Sequence, residues 1–229
     1  MSSDPLDSVL QEMHDLFVAD PVRAVRGQGF IKTLHSFIAN QIRARLTAEA
    51  IRAGVTVEEE ATIFGSHKPK DVDVSVIHPK NGPLMIVGLR SQMSSVAKNA
   101  LTYYQDIVGE CISLQDRFPL AVIGYIYLMP LHPIKVGHED VYIDHGRYAK
   151  MYNAISGRSG FDYKSLRGIY DQFAYMVVDF TNSPPTLEDS VVRSAVPKTD
   201  LSARTFVSRM IATYIERNLF LDYFKPNDA

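Results

Sequence analysis

Apolar positions recur at helical spacing in the first quarter of the chain and at strand spacing after it. Leu6, Val9, Leu10, Met13, Leu16 and Phe17 follow one another at three- and four-residue steps, the mark of one buried helix face. Asp4-Pro5 stands just ahead of them, a capping residue followed by the residue best suited to the first helical position. A second helix is predicted after Gly29. Phe30, Ile31, Leu34, Phe37, Ile38, Ile42, Leu46 and Ile51 face inward, Lys32, Arg43, Arg45, Glu49 and Arg52 outward, and Gly54 closes it.

The period then shortens. Ala61 to Gly65 is a short strand candidate, and Asp71 to Ile77 alternates polar and apolar residues as a half-buried strand does. His78 to Pro83 has turn chemistry, and Leu84 to Leu89 is an apolar run suited to the middle of a sheet. Helical spacing returns from Ser94 or Ser95 through Val96, Leu101, Tyr104, Ile107, Val108, Cys111 and Leu114, and Phe118-Pro119 ends it. Leu120 to Leu128 reads as another buried strand. Beyond it, helices are predicted over Asp144 to Ile155, Tyr163 to Phe180 and Leu201 to Phe224, with a loop region around Pro184-Pro185 and Val196-Pro197. The expected organisation is one domain over 1–229: an N-terminal helix (1–29), an αβββαβ core (30–130) and a helical C-terminal extension (131–229).

Composition is that of an ordinary globular chain, 46% hydrophobic and 22% charged over 229 residues. No run of about 18 apolar residues suggests a membrane span, and Met1-Ser2-Ser3-Asp4 lacks the pattern of a secretory signal. The single cysteine, Cys111, excludes an intramolecular disulfide and a CxxC zinc site and favours a reducing, cytoplasmic setting. A net charge of −2 argues against indiscriminate coating of nucleic acid, while 24 Lys and Arg leave room for a local basic cleft.

The αβββαβ order, with an acid on the second strand and polar residues ending the third, resembles the PD-(D/E)XK fold of restriction endonucleases. The resemblance covers roughly residues 30 to 130 and implies an α/β (α+β) protein with a central mixed sheet flanked by helices. In that family an Asp of the second strand and an E-x-K of the third converge on Mg²⁺, for which Mn²⁺ substitutes. Hard oxygen ligands hold the ion beside the scissile phosphate, and a nearby cation offsets charge building on phosphorus. Asp73, flanked by Val72 and Val74, matches the first acid, with Asp71 as its same-face neighbour. The third strand departs from the pattern: it reads Gly88-Leu89-Arg90, so Arg90 takes the Lys slot and Gly88 offers no carboxylate. Sliding by two residues puts Gln92 in the Lys slot instead.

Several residues can complete the site on this resemblance. Members of the fold draw a carboxylate from the adjacent helix, which nominates Glu110. Arg90-Ser91-Gln92-Met93-Ser94-Ser95 followed by Lys98-Asn99 is similar to a pattern seen in restriction endonucleases. Glu49, or Glu59 and Glu60 beside the first strand, can add to a metal shell. Lys68, Lys70, Ser94, Ser95, Lys98 and Arg158 are the expected DNA contacts, and the implied partner is double-stranded DNA bound by a homodimer, two sites for two strands.

Plainer readings stand beside these. Asp73 and Arg90 also fit a cross-strand ion pair worth little, and Gly88 leaves open a nuclease-like fold that binds DNA without cutting it. His138-Glu139-Asp140 with Asp144-His145 groups metal-capable side chains but fits a polar loop better, and Gly157-Arg158-Ser159-Gly160 reads as a flexible, DNA-facing loop. Cys111 is expected in the core. The stripe Phe206, Met210, Ile211, Tyr214, Ile215 and Leu219 is core or a dimer seam.

Overall fold

A mixed sheet of six strands, hydrogen-bonded in sequence order β1-β2-β3-β4-β5-β6, carries the fold. The computed structural model describes residues 4–26, 29–94, 96–132, 142–158 and 168–226. Within them the helices are α1 (Pro5–Ala19), α2 (Pro21–Arg26), α3 (Gly29–Ala44), α4 (Ala48–Arg52), α5 (Val96–Arg117), α6 (His145–Asn153), α7 (Asp189–Ala195) and α8 (Phe206–Arg217). The strands are β1 (Thr56–Phe64), β2 (Pro69–His78), β3 (Gly82–Ser91), β4 (Val122–Pro130), β5 (Gln172–Asp179) and β6 (Thr186–Leu187). β1, β2 and β3 are antiparallel neighbours, β3, β4 and β5 run parallel, and β6 returns antiparallel.

Helices cover both faces of the sheet. On one side Leu6, Leu10 and Met13 of α1, Phe30, Leu34, Ile38 and Ile42 of α3, and Phe206, Met210, Ile211 and Tyr214 of α8 pack against Val74, Val76, Met85 and Val87. On the other, Val96, Ala100, Ile107, Cys111 and Leu114 of α5, with residues of α6 and α7, pack against Ile86, Ile123, Tyr125 and Tyr175. β4 and β5 are therefore buried almost throughout, as parallel strands covered on both faces must be. Gly124 lets α8 sit close on β4, since a Cβ there would lie 2.4 Å from the Met210 sulfur.

The start of α1 is built as expected: Asp4 caps it, its Oδ1 accepting the Leu6 N–H at 2.9 Å, and Pro5 opens the helix. The second predicted helix is divided. α3 stops at Ala44, and α4 begins again after Thr47, whose hydroxyl accepts the Ala50 N–H at 3.1 Å. Between them Leu46 bridges to Phe224 and the Thr47 N–H donates to Tyr223 O, so a tertiary pairing interrupts a continuous apolar stripe.

The expected helical C-terminal extension is corrected. Within Tyr163 to Phe180, residues 172–179 form β5, and its hydrogen bonds to β4 make it part of the sheet. A strand buried on both faces shows no alternation, so periodicity does not separate it from a buried helix. The helix predicted over Leu201 to Phe224 is shorter, α8 alone. Ahead of it Asp200 draws the Ser202 N–H (2.9 Å) and the Thr205 hydroxyl (2.6 Å) into a turn, the local competition by which short polar side chains oppose helix. α7 lies between the two proline sites assigned to loop.

Candidate active site

The site begins where β2 and β3 part. Their ladder runs from His78–Gly82 to Val74–Val87, and no pair joins them beyond that point. The Leu89 N–H is taken instead by Asp73 Oδ2 at 2.6 Å. On the other flank, β1 and β2 pair at Glu59–Val74 and Ala61–Val72 but not at Glu60–Asp73 between them, and Glu60 holds φ 56°, a left-handed conformation uncommon outside glycine. Val72 packs among the α5-side residues and Val74 among the α3-side residues. The pleat thus turns over at Asp73.

Arg90, at the end of β3, reaches three oxygens. Its Nη1 lies 3.4 Å from Asp73 Oδ2 and 3.4 Å from Leu89 O, and its Nη2 lies 3.5 Å from Glu110 Oε1. Glu110 comes from α5, one step along the helix from Cys111 and three from Ile107, so it borders the buried stripe. The Tyr125 hydroxyl of β4 donates to Glu110 Oε2 at 3.1 Å, and Lys70 of β2 pairs with Oε1. Two carboxylates and two cations are so gathered in a half-buried cluster, with Asp73 18%, Glu110 11%, Arg90 28% and Lys70 22% exposed in their side chains. Burial works against the Arg90 charge, but the carboxylates of Asp73 and Glu110 hold its pKa above the ordinary value.

Gly88 has a steric reason. It pairs with Tyr125 in the β3–β4 ladder, and a Cβ on it would fall 2.3 Å from Tyr125 Cε1. The slot that would hold a carboxylate on β3 is filled by the ring that hydrogen-bonds Glu110.

His35 of α3 faces the cluster from the opposite side. Its Nε2 lies 3.7 Å from Asp73 Oδ1 and its Nδ1 3.9 Å from Glu60 Oε1, beyond hydrogen-bond reach, with the side chain 5% exposed. Desolvation lowers its pKa, partly offset by Asp73, Glu60 and Glu59. The sequence reading missed it. The signal was there: Ile31, His35, Ile38 and Ile42 fall on one helix stripe, so His35 is a polar residue at a core position.

The other nominated residues lie apart from this cluster. Asp71 is exposed and accepts from Thr62 Oγ1 of β1 at 2.6 Å. Glu59 is held by Ser36 Oγ (2.7 Å) and Arg43 (3.1 Å), both on α3, and Glu49 sits in the first turn of α4. Gln92 is buried, with its amide turned onto Ser94 O. Lys68 is exposed and lines, with His67, Lys70, Asp106 and Glu110, a cavity of about 300 Å³. Ser94 is half-buried, and Ser95 and the Lys98 side chain lie outside the described residues.

Arg158 is corrected from a DNA-facing loop residue to a buried one. It and Arg217 close on Asp171, whose side chain is fully buried, at 3.2 and 2.5 Å. Asp171 also accepts the Ile123 N–H at 2.7 Å, while Arg158 donates to Pro119 O and Ala121 O. All three thus tie the start of β4 to the start of β5. His138 to Asp140 lie outside the described residues; Asp144 caps α6, and His145 is buried against Tyr175. Among the described residues no three His, Cys, Asp or Glu side chains gather to hold a metal ion by themselves, and no helix is long and apolar enough to cross a membrane.

Compared with protein-family models, curated proteins and solved structures, the chain matches none.

Proposed function

We propose that the chain is a metal-dependent DNA endonuclease of restriction type on a PD-(D/E)XK-like core, with the second carboxylate supplied by Glu110 of α5 in place of the third strand. The observation that carries this reading is the convergence of Asp73 Oδ2, Leu89 O and Glu110 Oε1 on one guanidinium. Two carboxylates and a carbonyl around a cation are hard oxygen donors, and Mg²⁺ asks for little more, since it keeps several waters and takes the rest of its shell from phosphate. The element order α3-α4-β1-β2-β3-α5-β4, with the short α4 continuing the first helix, also agrees with an αβββαβ core.

Asp73, Glu110 and the Leu89 carbonyl would hold Mg²⁺ or Mn²⁺. When bound, the ion would lower the pKa of an attacking water and stabilise the departing oxygen of a phosphodiester. The chain's own residues supply the rest. The Leu89 amide fixes Asp73, and the Tyr125 hydroxyl orients Glu110. Arg90 and Lys70 offer donors to the phosphate as negative charge develops, and Lys68 and His67 in the adjoining cavity add backbone contacts that position a duplex without reading its sequence. Cutting both strands calls for two such sites, hence a homodimer.

A second reading, a non-catalytic DNA-binding or assembly subunit, is favoured by one observation: Arg90 already neutralises the carboxylate pair. Cleavage assays on methylated and unmethylated plasmid DNA with Mg²⁺ or Mn²⁺ at low salt separate the two. Discrete fragments from the native chain, lost in Asp73→Asn and Glu110→Gln, are the expected result. Salt-dependent DNA binding without cleavage on any substrate would favour the second reading.

A further inference from the structure

We infer that Arg90 is the chain's own counter-cation for the Asp73–Glu110 pair, seated where a divalent cation would bind and displaced when one does. The inference rests on the nuclease reading only for the identity of that cation. Its basis is how loosely the guanidinium is held. Its three oxygen neighbours stand at 3.4, 3.4 and 3.5 Å, whereas a charge-assisted N–H···O⁻ bond closes to about 2.7–2.9 Å. No oxygen receives a bidentate fork, and the side chain keeps a route to solvent, 28% exposed.

The contrast with a buried arginine–carboxylate network at the starts of β4 and β5 is sharp. Arg158 and Arg217 meet Asp171 with its side chain wholly buried, at separations down to 2.5 Å. That network is a fixture. Arg90 instead spans two acids from two different elements and satisfies neither fully, the arrangement of a cation that can be exchanged.

Charge balance gives the exchange its direction. Asp73 and Glu110 carry two negative charges, and Arg90 and Lys70 carry two positive ones. A divalent ion entering this balanced cluster would leave it two charges in excess, and like charges at short range repel strongly in a half-buried setting. Release of Arg90 toward solvent, or toward a phosphate brought by DNA, removes one of them. Metal affinity in the DNA-free chain is therefore held down by Arg90, and the same residue becomes a phosphate donor once displaced.

The test is Mn²⁺ binding by calorimetry to the DNA-free full chain, comparing the native protein with Arg90→Met and Arg90→Lys, and with Arg90→Met/Asp73→Asn as the site control. The expected order of affinity is Arg90→Met above Arg90→Lys above native. Removal of the guanidinium should lower the Mn²⁺ Kd about tenfold or more, and Asp73→Asn should abolish the gain. Mn²⁺ should also raise the melting temperature of Arg90→Met by more than that of the native chain. Equal or weaker Mn²⁺ binding by the folded variants would overturn the inference. Should Arg90→Met not fold without metal, Arg90→Lys decides alone, because its point charge cannot span both acids. A chain that follows this order yet cuts no DNA would sink the nuclease reading and leave Arg90 as the exchangeable cation.

Discussion

Gly88→Ala adds one methyl group at the centre of the candidate site, and the structure sets its consequence. The new Cβ would lie 2.3, 2.6 and 3.1 Å from Cε1, Cδ1 and Cζ of Tyr125, where carbon atoms rest at about 3.5–4.0 Å. The ring has little freedom to yield. Tyr125 is 3% exposed, its hydroxyl is bonded to Glu110, and Tyr170 packs against it at 5.5 Å. Overpacking of this kind costs about 1–3 kcal/mol, and each kcal/mol lowers the melting temperature of a chain this size by about 2–4 °C. Urea unfolding followed by circular dichroism would measure it. In a cycle with Tyr125→Ala the double variant should be less destabilised than the sum of the singles, with a coupling of about 0.5–3 kcal/mol. A Gly88→Ala variant within about 0.5 kcal/mol of the native chain, or a penalty undiminished beside Tyr125→Ala, would refute the steric account. On the same grounds Gly88→Glu, which restores the letters of E-x-K, should unfold the site rather than improve it.

Other expectations follow from the buried charges. Asp171→Asn strands Arg158 and Arg217 without their anion and should cost about 3–5 kcal/mol by urea unfolding, far more than Asp71→Asn at an exposed position of β2. Cys111, whose thiol is pushed up by burial, should resist alkylation in the native protein and react only at urea concentrations where the whole chain unfolds. His35 and His145 are both held below their ordinary value of 6.5 by desolvation, so the unfolded chain binds protons there that the native chain does not. Stability should then fall as pH drops below about 6.5, and His35→Leu should lessen that loss between pH 7 and 5, leaving the share of His145.

The elements legible in the sequence were those with one wet face, together with β3 and β4, short apolar runs bounded by turn or proline residues. α1 was readable from Asp4-Pro5 and its stripe, and β2 from its alternation. β5 was not, because Phe173 to Val178 are buried on both faces and helix and strand look alike in such a run. The first half of β1 was not legible, because Glu58-Glu59-Glu60 lie on an edge strand with only Val57 and Ile63 buried and so show no apolar alternation. At the site, Asp73 and Arg90 were visible as polar residues in apolar strands. The reason for Gly88 was not, since it lies in Tyr125, a residue 37 positions along the chain that becomes a neighbour only through parallel pairing. His35 meets Asp73 only once α3 packs on the sheet, a neighbourhood that helical spacing does not carry.

The parting of β2 and β3 also bears on how the chain avoids sticking to itself. A strand that loses its neighbour presents free backbone donors, the template on which foreign strands dock and aggregates grow. Here the opening lies inside the sheet, and a side chain closes it: Asp73 Oδ2 takes the Leu89 N–H. Alanine at 73 would remove a charge and, with it, the stopper of an internal edge. Asparagine keeps an oxygen for the amide, so a loss of function in Asp73→Asn speaks for chemistry, whereas the same loss in Asp73→Ala also reports on solubility.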